Sequence, residues 1–144
     1  MLIYKIFRDD EWRAFEAAGE TEGAPVDLAD GFIHFSTAAQ AAETAARHFA
    51  GADGLWLLAF DAEALGAALK WEPSRGGALF PHLFRPLRRA EMLWAEPLPL
   101  VDGLHRFPDQ SEFDLKMQRA EIDFLRSNAA AQNVFAQNYV GLPY

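Results

Sequence analysis

The chain has 144 residues, 51% of them apolar and 13% aromatic, with twelve Phe and four Trp, which is enough for one aromatic-rich core and too little for two comfortable domains. Cysteine is absent, so disulfides, thiolate metal sites and cysteine nucleophiles are excluded. Thirteen Lys+Arg against twenty-one Asp+Glu leave a net charge of −8, which argues against a general nucleic-acid or anionic-membrane binder.

Leu2 to Phe7 carries Ile, Tyr and Phe and predicts a first strand. Asp9 offers a helix N-cap, and Trp12, Phe15 and Ala18 form an apolar stripe that Gly19 stops. Glu20 to Ala29, with Gly23 and Pro25 and little periodicity, is expected to be a surface loop whose Val26 and Leu28 pack underneath. Asp30-Gly31 signals a turn, Phe32 to Phe35 a strand, and Thr37-Ala38-Ala39-Gln40 has capping-box spacing at the head of an alanine-rich helix that Gly51 ends. Leu55 to Phe60 is a continuous apolar run, hence a central strand buried on both faces. Asp61 offers a cap to a short helix through Leu69.

Lys70-Trp71-Glu72 predicts a brief strand and Pro73 to Gly77 a loop. Phe80 to Phe84 leads into the Arg85–Arg89 cluster, where Pro86 forbids a central strand. Ala90 to Ala95 is strand-like, and 97–108 reads as an irregular or edge segment with an Asp102-Gly103 turn. From Ser111 an amphipathic helix of about 15 to 20 residues is expected, longer than the typical ~11. The apolar segment after it is expected to pack on the domain or to form a homodimer, giving a division into 1–108 and 109–144. No run approaches the roughly 20 apolar residues of a membrane span, and the N-terminus lacks signal-peptide order, so a cytoplasmic protein without membrane attachment is expected.

Two stretches concentrate chemistry. In Asp30 to Thr37, His34 is an imidazole set in an apolar strand just before a helix N-terminus, where free backbone N–H groups attract anions. It either fills a core position or binds a ligand. Ser36 and Thr37 either cap that helix or contact substrate, and capping is the better supported. The second stretch is Trp71 to Gly77 with Phe80-Pro81-His82. Arg75 before Gly76 and Gly77 is either a phosphate fork on a flexible backbone or an ordinary solvent turn, and His82 is either structural or functional. From Lys70 to Glu91, Lys70, Arg75, Arg85, Arg88 and Arg89 face only Glu72 and Glu91, a cationic island suited to a small anionic ligand. His34, His82 and Glu72 show no metal-ligand spacing, and no metal is assigned.

Tyr4-Lys5-Ile6, Trp12, Asp30 to Thr37, Gln40, Thr44-Ala45, His48-Phe49, Trp71 to Gly77 and Phe80 to Leu83 strongly resemble the family known as domain of unknown function 952, over roughly residues 2 to 108. The resemblance implies an α+β fold akin to ADP-ribosyltransferases, with two small packed sheets, flanking helices and an NAD-binding cleft, to which a C-terminal helical extension is added here. The Ile33 to Ser36 segment is also similar to the His-bearing strand of RNA 2′-phosphotransferases. The late-strand carboxylate of many ADP-ribosyltransferases has no motif match in this chain, and Glu91 and Glu96 are candidates by position alone. The leading expectation is therefore a cleft for NAD or another phosphorylated nucleotide, with ADP-ribosyl or related transfer. Here His34 and His82 serve catalysis, while Ser36, Thr37, Trp71, Arg75, Gly76, Gly77 and Phe80 bind the nucleotide. The alternative is a non-catalytic small-ligand sensor or interaction module; a hydrolase using His34 and His82 as acid and base has thinner support.

Overall fold

A computed structural model of the chain describes residues 1–108, with the side chain of Arg75 outside the description. The segment expected to be a C-terminal helix, and the homodimer contact assigned to it, lie outside the described residues. Strand β1 (Leu2–Arg8) is followed by helix α1 (Asp9–Ala18), strand β2 (Glu20–Thr21), helix α2 (Pro25–Asp30), strands β3 (Ile33–His34) and β4 (Ser36–Thr37) and helix α3 (Ala38–His48). Strand β5 (Leu55–Asp61) then leads through a 3-10 turn to β6 (Leu69–Pro73), β7 (Leu79–Leu83), β8 (Leu87–Arg88), β9 (Met92–Leu98), β10 (Leu100–Val101) and β11 (Leu104–His105). The result is an α+β arrangement of small antiparallel sheets with few helices.

The main sheet has the order β4-β1-β5-β9 and a second sheet the order β3-β7-β6. Strand β5 is central, as its continuous apolar run predicts, and Leu57, Leu58, Ala59 and Phe60 are fully buried. Strand β9 lies at the edge, which is why Pro97 is tolerated opposite Trp56. The stretch read as one strand, Phe32 to Phe35, leads from one sheet to the other. Within it only Ile33–His34 is strand, β3, which pairs with β7; Phe35 N–H donates to the Pro81 carbonyl at 3.0 Å, and the next two residues, Ser36–Thr37, form β4 and pair with β1 in the main sheet. Crossing between sheets lets both place apolar faces in one core: Ile3, Phe7, Leu58 and Phe60 come from the first, Ile33 and Leu83 from the second, and Phe35 sits at the crossing.

The helices follow local rules. Gly19 and Gly31 end α1 and α2 in left-handed conformation, at φ 77° and 86°. Thr37 is the N-cap of α3, where Gln40 Oε1 accepts Thr37 N–H at 3.1 Å, and the small Ala41 and Ala45 bury against the sheet. Asp9, expected to be a cap, is instead the first residue of α1 and accepts bonds from Arg13 and from the Trp56 indole; Glu11 reaches back to the Arg8 N–H. The segment from Asp61 forms turns and a 3-10 stretch at Gly66–Ala68, and no α-helix.

The reading of Glu20 to Ala29 as a loop is corrected by α2. Its two apparent breakers belong to the helix start: Pro25 stands in the first turn, where a missing N–H costs nothing, and Asp27 Oδ2 accepts Ala24 N–H at 2.7 Å. The expected packing is reversed as well. Val26 and Leu28 are exposed, and Asp27 is the buried residue, 1% accessible. In urea unfolding, Leu58→Ala is expected to cost about 2–5 kcal/mol through transfer and cavity formation, whereas Leu28→Ala stays within about 0.5 kcal/mol.

Candidate functional site

Asp27 enters the core because four donors meet it there. Lys5, on β1, is also buried and brings its Nζ to Asp27 Oδ2 at 2.7 Å and to the His34 carbonyl oxygen at 3.0 Å. Asp27 Oδ2 also takes the Ala24 N–H. Asp27 Oδ1 takes His34 twice, from its backbone N–H at 3.0 Å and across from its Nδ1 at 2.6 Å. Gly23 makes room: a Cβ there would lie 2.5 Å from Asp27 Cβ and Oδ2, and its φ of 108° suits glycine.

Burial alone would raise the Asp27 pKa, but the His34 bonds and the Lys5 charge outweigh it and hold the carboxyl down at about 2. For Lys5, burial pushes the ammonium downward and Asp27 opposes that shift. The Asp27 charge is tolerated this deep because its partner, Lys5, is also buried, ion-paired with it and bonded to the His34 carbonyl.

His34 therefore leaves the core on a fixed mount. Its Nδ1 is held by Asp27, its Nε2 lies 2.9 Å from Asp30 Oδ2, and its side chain is 31% exposed. Across the sheet, His34 is in register with His82, and His82 with Lys70. Alternation along the strands places Phe32, His34, Phe80, His82, Phe84, Lys70 and Glu72 on the face away from Ile33 and Leu83. The rings on this face form a continuous layer: Phe32 stacks on His82 at 4.2 Å between centroids, His34 meets His82 edge-on at 5.4 Å, and Phe32 lies 5.1 Å from Phe84. His82 is buried beneath this layer, with Nδ1 2.8 Å from Glu72 Oε1. Phe84 is 43% exposed and has Lys70 Nζ over its ring at 5.8 Å.

The sequence-derived site is thus brought together in part. His34 and His82 become direct neighbours. Arg75, Gly76 and Gly77 form the turn between β6 and β7; the Pro73–Leu79 pair at its base lies three residues along β7 from His82, roughly 10 Å. Gly76 and Gly77 both have positive φ. Phe80 shares the histidine face but is buried, and Trp71, one residue from Lys70, points to the opposite face. Ser36 and Thr37 lie in the other sheet. Ser36 Oγ bonds Thr44 Oγ1 at 2.8 Å, fastening α3 to the sheet, and Thr37 stands at the N-cap position of that helix with its N–H on Gln40 Oε1 and no cap bond from its own side chain. The cationic island is divided too: Arg85 forks onto Glu91 and also bonds the Leu65 carbonyl, so neither Arg85 nor Glu91 is at liberty. Glu96 is paired in register with Leu57, within the main sheet and away from the histidine face.

Sequence reasoning missed Asp27, Lys5, Phe84 and Lys70 as site residues. Pro25 at the start of a short segment, Asp two residues later and Gly31 at its end together were a helix signature that would have exposed Asp27. Beside the face, a cavity of about 260 Å³ opens between α2 and the Phe84–Pro86 segment, with Phe32 and Asp27 in its wall. Among the described residues, no group of three or more His, Asp or Glu is arranged to hold a metal ion, and no helix is long and apolar enough to cross a membrane.

Because the Asp27 carboxyl is held at about 2 against an ordinary 3.8, its stabilisation is complete above about pH 4 and lost as pH falls toward 2. Asp27→Asn is expected to lower stability by about 3–5 kcal/mol at neutral pH by stranding Lys5, and to flatten the acid limb of stability against pH in urea titrations. An unchanged acid limb would contradict the assignment.

A family model described as "Protein of unknown function (DUF952)" matches residues 6–95. The X-ray structure of protein CC0527 from Caulobacter crescentus is 55% identical in sequence, covers 74% of this chain and 94% of its own, and superimposes with a TM-score of 0.71. The solution NMR structure of CC0527 is 57% identical over 72% of this chain and 90% of its own, with a TM-score of 0.66. A curated relative, p-hydroxybenzoate hydroxylase of Acinetobacter baylyi, is 51% identical over 41 residues, which are 28% of this chain and 10% of the hydroxylase. The chain thus spans about a tenth of that enzyme's length. With more than half of its length matched by the family model, the chain belongs to the DUF952 family.

Proposed function

We propose that the histidine-bearing face of β3-β7-β6 binds a phosphorylated nucleotide, with NAD as the leading candidate, in the manner of an ADP-ribosyltransferase-like cleft. The observation that carries this reading is His34, mounted on the buried Lys5–Asp27 pair and aimed out of a layer of aromatic rings. An imidazole held on one nitrogen by a buried carboxylate is oriented before any ligand arrives, which reduces the ordering cost of binding. Phe84, exposed beside Lys70, offers a ring for base stacking and a nearby cation for phosphate; Phe80 and Trp71 are less suited, one buried and the other turned away. The turn at Gly76-Gly77, with positive φ at both glycines, brings backbone N–H groups to the end of the same hairpin, where they suit a phosphate.

A second reading, binding without turnover, is favoured by a specific observation. The carboxylates around the histidines are all engaged: Asp27 with Lys5 and His34, Asp30 with His34, and Glu72 with His82. Under this reading the face is a sensor or an interaction module for the same ligand class.

NAD, ADP-ribose or a simple nucleotide at ten times its dissociation constant is expected to stabilise the protein by about 1.4 kcal/mol, a rise in Tm of roughly 3–8 °C, and His34→Ala to abolish the rise. If millimolar amounts of all three leave Tm unchanged, the nucleotide reading is wrong. Incubation with labelled NAD separates the two forms of it, because released nicotinamide marks transfer and intact retained NAD marks binding alone.

A further inference from the structure

Both ring nitrogens of His34 face a carboxylate, but the two partners are unequal. The Nδ1 partner, Asp27, is 0% exposed in its side chain and is bonded at the same time by Lys5, the Ala24 N–H and the His34 N–H. The Nε2 partner, Asp30, is 48% exposed in its side chain, and its one ion-pair partner among the described residues is His34, with Oδ2 2.9 Å from Nε2. It sits at the last residue of α2, just before the left-handed Gly31, where the backbone carbonyl end of a helix disfavours a negative charge. One carboxylate cannot be moved without dismantling the core, whereas the other can swing into solvent through its own side-chain torsions.

We propose that Nε2 of His34 is the anion-contacting atom of this site, and that Asp30 occupies the anion's position in the free protein as an internal competitor. A phosphate or pyrophosphate group replaces the Asp30 carboxylate on Nε2, while Asp27 keeps Nδ1 and with it the ring plane. The inference rests on the nucleotide-binding reading above and deepens it by assigning the contact atom and its occupant. Charge supports the exchange. Lys5 and Asp27 neutralise each other beneath the ring, so Asp30 is the carboxylate an incoming anion meets at Nε2. An anion that lands there removes a like charge from its own position as it binds. The exposed aromatic edge of Phe84 and the Lys70 ammonium lie on the same face and favour a ligand with both a ring and an anionic group.

The test is a titration of wild type, Asp30→Ala, Asp30→Glu and His34→Gln with inorganic pyrophosphate and, separately, with ADP-ribose. It is followed by calorimetry and by the ring ¹⁵N resonances of His34. Removing a half-exposed ion pair that competes with ligand is expected to tighten pyrophosphate binding about two- to fivefold in Asp30→Ala. Asp30→Glu should stay near wild type, and His34→Gln should bind weakly. In the first two variants and wild type, ligand should perturb Nε2 and leave Nδ1 unmoved. Equal or weaker binding by Asp30→Ala, or a ligand response at Nδ1 in place of Nε2, overturns the exchange. If pyrophosphate behaves as expected and ADP-ribose does not bind, the exchange stands and the nucleotide reading fails. If ADP-ribose binds wild type and Asp30→Ala equally, the nucleotide reading stands and the exchange fails. No binding of either probe to any variant refutes both.

Discussion

The buried ion pair between Lys5 and Asp27 is the constraint on which the histidine face depends. Two opposite charges withdrawn from water are costly unless every donor and acceptor is used, and here each bond that satisfies Asp27 also fixes a piece of chain. The Ala24 N–H starts α2, the His34 N–H sets the beginning of β3, the His34 ring is fixed in its plane, and Lys5 ties all three to the main sheet. A short helix, a two-residue strand and a candidate functional side chain are positioned by one carboxylate. Gly23 shows how tightly that carboxylate is enclosed, since even a methyl group at that position would collide with it.

The crossing of Ile33 to Thr37 from one sheet to the other has a comparable effect at larger scale. Because β3 pairs with β7 and β4 with β1, residues close in sequence serve different ends: His34 looks outward from the smaller sheet, whereas Ser36 and Thr37 secure α3 on the larger one. The arrangement binds the two sheets through covalent chain as well as through their shared core. It also separates the candidate binding groups that adjacency in sequence suggested were together.

Sharing a fold with CC0527 and membership of the DUF952 family describe the scaffold and leave chemistry to the site. At that site the physical features are definite: an oriented imidazole, a second imidazole buried under a phenylalanine, an exposed ring with an ammonium above it, and carboxylates that are already bonded. Carboxylates that already receive donors have less capacity to accept a further proton, which is the physical ground for the proposed reading of binding without turnover.

Several elements were legible in the chain because local rules decide them. The apolar run Leu55 to Phe60 marked the central strand, the Thr37 to Gln40 spacing marked the head of α3, Gly19 marked the end of α1, and the two motif stretches around His34 and His82 marked the family. What only the tertiary structure decided was the use of each polar group. Whether Asp27 faces water or core depends on a lysine 22 residues earlier in the chain, and whether Arg85 is a free cation depends on Glu91 and on the Leu65 carbonyl reaching it. Burial and pairing of charges are properties of distance in space, and no periodicity along the chain encodes them.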